Sequence, residues 1–389
     1  MDIEVDTIIG PVEVGPVAHG GHCVARHEGR VIFVRHAIPG EQVMVRLTDT
    51  SKPRFWRGDA VEVLDPSPAR VRPPCPVAGT CGGCDFQHVE WAHQRELKRQ
   101  VVAEQLQRLA GIEWAGRVEK VGEEPLGWRS RMRYVTETGR AGLRRHRSHE
   151  VVELPEGGCR IAEPAGLTVD ELDILAREAA GEEMVVAVAD PVSVVAGREV
   201  LHGRPTVAHE VNGRRLQVAA SGFWQPHQEA PQVLVRAVLK ALAPRPGEVG
   251  LDLYCGVGLF ASALAEKGVS VTAVEMDRRA ARMASRNVAE ADVIAGPLER
   301  NLRDLPPQVD LVVLDPPRTG AGAKVVERLV GLGARAIAYV ACDPAALARD
   351  LKTFTERGWV AKSIRAFDLF PMTHHVECVA LLVPAPAAP

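Results

Sequence analysis

Through the first 65 residues, hydrophobic and polar positions alternate with a period close to two, broken by glycine. Val43, Val45 and Leu47 recur on one side of that pattern. The stretches TIIGPVEVGPVAHGG, HCVARHEGRVIFVRHAIPGEQVMVRL and RGDAVEVLDPSP read as short half-buried strands, with turn chemistry in PGEQ. Such strands suit a small five-stranded barrel of the OB type. The proline-rich DPSPARVRPPCP then reads as a linker. The spacing changes in HQRELKRQVVAEQLQRLAG, where Leu97, Val101, Leu106 and Leu109 fall near one helical face and Gly111 sits where a C-cap belongs.

From about residue 245 the pattern becomes regular. EVGLDLYCG is a buried strand running into a glycine turn, and LFASALAEKG is a helix stopped at Gly268. SVTAVEMD, VDLVVLDPPR and RAIAYVACDP read as further strands, RRAARMASRNVAEA and AALARDLKTFTERG as helices. Strands alternating with helices predict a parallel, doubly wound α/β sheet. The terminal PAPAAP has the composition of an unstructured tail.

Composition narrows the class. Apolar residues make up 46 % and charged residues 25 % of the 389, ordinary for a soluble globular protein. No apolar run approaches the roughly 18 residues that span a bilayer. The opening MDIEVDTIIG lacks the basic start and apolar centre of a signal peptide, so a cytoplasmic location is expected. With a net charge of −3, any contact with nucleic acid has to come from a local patch. One segment offers it: between Trp128 and His149 stand seven arginines against a single acid, Glu137. Arg129, Arg131 and Arg133 alternate and would share one strand face. With Arg144, Arg145 and Arg147 they form a candidate phosphate-binding surface, the plain alternative being a solvated face.

The turn after the strand at 249 carries Gly256 and Gly258, and Glu275 ends the next strand. Glycines let a cofactor approach the backbone there, and the acid can accept from ribose hydroxyls. Ala261 stands at the third glycine of the dinucleotide fingerprint. That leaves NAD open and suits a cofactor without a pyrophosphate at least as well. Ligands of open α/β sheets bind at the carboxyl ends of strands, where Asp315, Cys342 and Glu377 fall. A cysteine before a helix can have a lowered pKa and act as nucleophile, or be buried and inert. A glutamate in an apolar strand suits a general base of raised pKa, or is a salt-bridged strand end. His374 and His375 lack a nearby second ligand cluster, so no metal site is expected there.

Eight cysteines occur in the chain, and CPVAGTCGGCDFQHV holds Cys75, Cys81 and Cys84 within ten residues. Such clustering in a chain read as cytosolic points to metal or catalysis rather than to disulfides.

Taken together, GFWQPH, DLYCGVGLF, VEMD, DPPRTGAG, YVACDPAALARDL and HHVECVALL resemble the RNA 5-methyluridine methyltransferases that use S-adenosylmethionine, and the resemblance runs across nearly the whole chain. It implies a TRAM-like β-barrel at 1–66, an α+β central domain with the cysteine loop and basic hairpin at 67–208, and a doubly wound, Rossmann-like class I methyltransferase domain at 209–386. It implies that Cys342 adds to C6 of a uridine, that Glu377 removes the C5 proton, and that the base is unstacked to be reached. Gln225, Tyr254, Glu275 and Asp315 match cofactor-binding positions of the family, beside the Gly256 and Gly258 turn. Two positions depart from it. Asp343 stands where the family has asparagine and would raise the thiol pKa unless it points away; His227 also replaces an asparagine.

The run C-x5-C-x2-C, followed about 75 residues later by Cys159, resembles the family's 4Fe–4S site. Zinc remains an alternative, although only one short Cys-x2-Cys knuckle is present, and so do unmetallated cysteines. The Cys-x3-Cys-x2-Cys of radical S-adenosylmethionine enzymes does not match. The expected partner is RNA, ribosomal in preference to transfer RNA, with no membrane, no obligate protein partner and a monomeric state. An NAD-linked iron–sulfur oxidoreductase and a silent RNA-binding protein are the rival classes. Phe55, Trp56, Phe86 and Trp91 are the nearest candidates for base stacking.

Overall fold

The alternation at the start of the chain closes on itself. In the computed structural model, which describes residues 4–386, the strands Ile8–Val17, Cys23–His27, Arg30–Arg35, Gln42–Asp49 and Phe55–Asp65 form a closed barrel. The first strand pairs with the second and fourth, and the third runs parallel to the fifth. Val43, Val45 and Leu47 point into its core, as their spacing predicts. Trp56 and Phe86 both pack into that same core, although Phe86 also lines a cavity beside Gly20 and Gly21. The proline-rich linker is pinned to the barrel: the Arg70 guanidinium donates to the buried Glu41 carboxylate at 2.6 Å.

The helix Trp91–Ala110 stops at Gly111, whose φ of 67° makes the expected left-handed cap. Its apolar positions divide between two neighbours. Leu97 and Val101 join the barrel core, while Val102 and Leu106 join the core under the large sheet. Beside them Lys98, fully buried, donates to Asp368 at 2.6 Å and to the Phe370 carbonyl at 2.9 Å. One helix therefore ties the barrel to the catalytic layer, although in sequence it lies in the central region.

The large sheet has eight strands in the order 292–295, 270–275, 249–253, 311–314, 336–341, 377–384, 359–368 and 118–120. It is not wholly parallel as the sequence pattern predicts. Glu377–Pro384 runs antiparallel between Ala336–Ala341 and Trp359–Asp368. The physical reason is the short connection at 369–376, too short for the helical crossover a parallel neighbour requires. Val118–Lys120 adds a last parallel strand beside Trp359–Asp368.

The central region builds a four-stranded sheet ordered 199–202, 193–196, 184–187 and 131–134, and a small hairpin of Gly142–Arg144 with Val151–Glu153. Among the described residues no helix is long and apolar enough to cross a membrane. The last strand ends at Pro384. Residues 387–389 of the tail and 1–3 of the N-terminus lie outside the described residues.

Candidate active site

Cys342 directly follows the strand Ala336–Ala341, and Glu377 opens the strand beside it. Ala341 pairs with Cys378 in antiparallel register, so the next positions along, Cys342 and Glu377, face one another across the strands at the carboxyl edge of the parallel sheet. Asp315 follows the neighbouring strand Leu311–Leu314 at the same edge. The three groups feel one another. Burial first, then the charges of Glu377 and Asp315, pushes the Cys342 thiol up to about 12. Burial, then Asp315, likewise holds Glu377 well above the ordinary carboxylate range, while Arg318 pulls it back. The raised thiol corrects the expectation of a helix-lowered pKa. The helix Pro344–Glu356 does start beside Cys342, but its dipole is outweighed by desolvation and three carboxylates, Glu377, Asp315 and, least, Asp343.

Asp343 has partners of its own and raises the Cys342 thiol least of the three carboxylates. It caps that helix by accepting from the Ala346 amide at 2.7 Å, and its other oxygen accepts from His19 Nε2 at 3.0 Å. Burial favours its neutral form, but the His19 and Ala346 hydrogen bonds outweigh this and lower its pKa. A cavity of about 150 Å³ opens over Cys342, lined among others by His19, Gly20 and Gly21 of the barrel and by Lys98, Arg318 and His375. His374, which also lines it, is held from behind by the Asp85 carboxylate at 2.6 Å from its Nδ1.

The glycine turn lies further along the same sheet edge. Gly256 and Gly258 have φ of 56° and 93°, and nothing lies within 4 Å of where a Cβ on Gly256 would stand. Glu275 accepts from the Gly256 amide at 2.9 Å and from the Asp277 amide at 2.7 Å. Gln225 Nε2 reaches Asp315 at 3.4 Å. Tyr254 takes a φ of 65° next to the turn. Asp252, which sequence reasoning missed, is fully buried, and one of its carboxylate oxygens has no hydrogen-bond partner. Burial raises both Asp252 and Asp315 to about 7. Three carboxylates around an open glycine turn, one with an orphaned oxygen, fit a cofactor carrying positive charge. His227 is occupied elsewhere: it stacks on Trp128 and accepts from the Glu229 amide at 3.0 Å.

Cys75, Cys81, Cys84 and Cys159 all line a second cavity of about 140 Å³. The Gly83 amide donates to Cys81 Sγ at 3.4 Å, and the amides of Ile161 and Ala162 bond Cys159. Apolar Leu143, Leu154 and Ile161 complete the walls. Four thiols around one largely apolar cavity, two of them with amide donors, have the chemistry of a sulfur-ligated site. Among the described residues, no three His, Cys, Asp or Glu side chains stand in metal-holding geometry.

The arginines do not form the single face their alternation predicts. Arg131 is buried, and its guanidinium donates to the carbonyls of Ala219 at 3.2 Å, Ala220 at 3.0 Å and Gly222. Arg129 is partly buried and donates to the Arg131 carbonyl at 3.2 Å. Arg133 meets Glu183 at 2.6 Å, Arg145 meets Glu150 at 2.9 Å, and Arg144 bonds Glu137. The excess of arginine is met largely by acids that lie outside or late in the segment. Among the candidate arginines, Arg147 is exposed and takes part in no ion pair among the described residues. His19 and Asp85 were missed because their contacts, with Asp343 and His374, span hundreds of residues, and Arg318 because its effect on Cys342 and Glu377 comes from the packing of separate strand ends, which no local pattern carries.

Comparison with known proteins agrees with this architecture. Residues 301–384 match the tRNA (Uracil-5-)-methyltransferase family, 229–338 the methyltransferase small domain, and 10–61 the TRAM domain. A protein of Streptomyces avermitilis named as an RNA methyltransferase is 49 % identical, covering 96 % of this chain and 98 % of its own. The 23S rRNA (uracil(1939)-C(5))-methyltransferase RlmD of Acidithiobacillus ferrooxidans is 32 % identical, covering 93 % of this chain and 94 % of its own. The crystal structure of Pyrococcus abyssi tRNA (uracil-54, C5)-methyltransferase in complex with S-adenosyl-L-homocysteine shares the fold, with a TM-score of 0.72 and 24 % identity over 96 % of this chain and 99 % of that one. A class I methyltransferase sheet, a TRAM barrel and full-length relatives at these identities agree: the chain belongs to the S-adenosylmethionine-dependent RNA (uracil-5-)-methyltransferase family.

Proposed function

We propose that the protein methylates C5 of a uridine in RNA, ribosomal RNA in preference to transfer RNA, through a covalent bond between Cys342 and the base. The observation that carries this reading is the placement of Cys342 and Glu377 one step beyond the Ala341–Cys378 pair at the sheet edge, where both, with Asp315, act on one another's charge. C5 of uracil is a weak nucleophile. Cys342 Sγ, its proton passed to solvent, bonds C6, and opening of the C5–C6 double bond shifts electron density onto C5. S-adenosylmethionine supplies the methyl group that C5 takes. Glu377 then accepts the C5 proton, and the electrons of that C–H bond expel Cys342 from C6. Arg318 favours the anionic forms of both groups, lowering Cys342 and Glu377 alike.

Asp252, Glu275 and Asp315, with Gln225, Tyr254, Gly256 and Gly258, would hold the cofactor. Its positive charge suits their acidity, and this explains why buried carboxylates are kept there. The preference for ribosomal RNA rests on the relative from Acidithiobacillus ferrooxidans.

Cys75, Cys81, Cys84 and Cys159 would hold a 4Fe–4S cluster, with zinc as the alternative. Its contribution would be to brace. The cysteine loop bonds the hairpin through the Gly82 amide and the Arg144 carbonyl at 2.9 Å. It also grips the segment before Glu377, since the Asp85 amide donates to the Met372 carbonyl at 2.9 Å.

The test is Glu377→Gln with RNA and S-adenosylmethionine. The variant should form the bond to C6 and stall, giving an RNA–protein band on denaturing gels that Cys342→Ala lacks. A band of equal intensity in Cys342→Ala would contradict the assignment of the nucleophile.

A further inference from the structure

The ion pairs that neutralise Arg133, Arg144 and Arg145 leave the question of where the hairpin's remaining charge goes. Arg147 stands at the hairpin turn with a φ of 52° and is exposed. Its charge is felt by His22, Arg35 and Arg57 of the barrel and by His146 beside it. The barrel side of this meeting is also cationic. Arg57 lies over the rings of Phe33 and Phe55 at 5.4 and 5.3 Å, and its Nη1 is 3.5 Å from His22 Nε2. The rings of His22 and His146 meet edge to face at 6.1 Å across the two domains.

Among the described residues, neither Arg57 nor Arg147 takes part in an ion pair, in contrast to their neighbours. Arg35 reaches only Asp59, at 3.7 Å, and its Nη2 is buried without a hydrogen-bond partner. His146 Nε2 is orphaned in the same way. Asp59 and Asp85 offset part of the charge at Arg35, His22 and His146, and Asp49 part of that at Arg57, but no carboxylate pairs with Arg57 or Arg147 among the described residues, and buried N–H groups are seldom left unmet. The ligand that answers both is an anion with several acceptor oxygens.

We propose that Arg57 of the barrel and Arg147 of the hairpin, with Arg35, His22 and His146 between them, form a seat for a backbone phosphate of the substrate RNA. The proposal rests on the RNA methyltransferase reading and adds where the strand is held. His22 directly follows the Gly20–Gly21 turn that lines the cavity over Cys342, so the seat stands beside the mouth through which the uridine enters. The two walls come from different domains, and the cysteine loop sets their spacing: Gly82 packs so closely on the hairpin that a Cβ would come within 2.9 Å of the His146 amide nitrogen. A phosphate would close the gap between them.

The test is the salt dependence of binding, by filter retention of a 23S ribosomal RNA transcript and of a transfer RNA transcript over a range of KCl. Each phosphate contact contributes about 0.7 to the slope of log K against log salt for single strands. Arg57→Gln and Arg147→Gln should each lower the slope by about that amount on either RNA, while the ion-paired Arg133→Gln leaves it unchanged. Arg147 is exposed, so its variant remains informative if Arg57→Gln unfolds. Wild-type slopes in both seat variants would overturn the seat. Methyl transfer by the wild type to the same transcripts is read in parallel. Its failure would count against the enzymatic reading alone, since the slopes still judge the seat.

Discussion

His19 Nε2 lies 3.0 Å from Asp343 Oδ2, so a barrel loop touches the residue beside Cys342 across 324 positions of chain. The contact makes the barrel part of the wall around Cys342. It also accounts for the acid at 343, which is held by His19 and by the helix it caps and adds only the smallest of the carboxylate contributions to the thiol. Asp343→Asn should therefore change the alkylation rate of Cys342 by less than about threefold, since asparagine caps helices as well as aspartate does. A tenfold rise would show that the carboxylate does bear on the thiol.

Gly21 is what lets that loop approach. A Cβ there would fall 2.6 Å from the His374 Cβ, and the φ of 79° already disfavours any other residue. Gly21→Ala should lower methyl transfer strongly and cost about 1–3 kcal/mol of stability. The comparison of thermal melts with activity checks this. Activity equal to wild type would mean that the barrel need not dock.

The Cys342 thiol is pushed up to about 12 by burial, Glu377 and Asp315, so in the protein alone it is protonated at neutral pH. Its alkylation by iodoacetamide, followed by peptide mass spectrometry, should climb about tenfold per pH unit from 7 to 10. A rate that levels off near pH 7 would show a thiolate already present.

Asp252 and Asp315 are both raised to about 7 by burial, above the 3.8 of a free aspartate. In the folded state they hold protons that the unfolded chain has released. Stability from this source is complete below about pH 4 and is lost as the pH rises through about 7. Melting temperatures of the cofactor-free protein should fall across that window, and those of Asp252→Asn should fall less. Parallel curves would place the titration elsewhere.

Much of the site was legible in the sequence because its residues end strands of a repeating pattern. Leu253, Leu314 and Ala341 close apolar runs, and the groups that follow them reach one edge. The arginines were not legible. Alternation gave Arg131 and Arg133 a common face, but only the fold reveals that three carbonyls from 219–222 wait over one and Glu183 over the other. The antiparallel strand at 377–384 was hidden for a similar reason, since direction depends on the length of a loop and not on the strand itself.

That difference between the two arginines can be measured. Arg131→Ala leaves buried carbonyls unmet and should cost about 3 kcal/mol or more in denaturant unfolding. Arg133→Ala removes one exposed pair and should cost under about 1 kcal/mol. Equal losses would contradict the structural role of Arg131.

Release of tritium from RNA carrying 5-tritiated uridine tests the central claim most directly, with ribosomal and transfer RNA transcripts run side by side. The account predicts release that requires S-adenosylmethionine, disappears in Cys342→Ala and is faster on ribosomal RNA. No cofactor-dependent release from either RNA, by protein that binds S-adenosylmethionine, would contradict it.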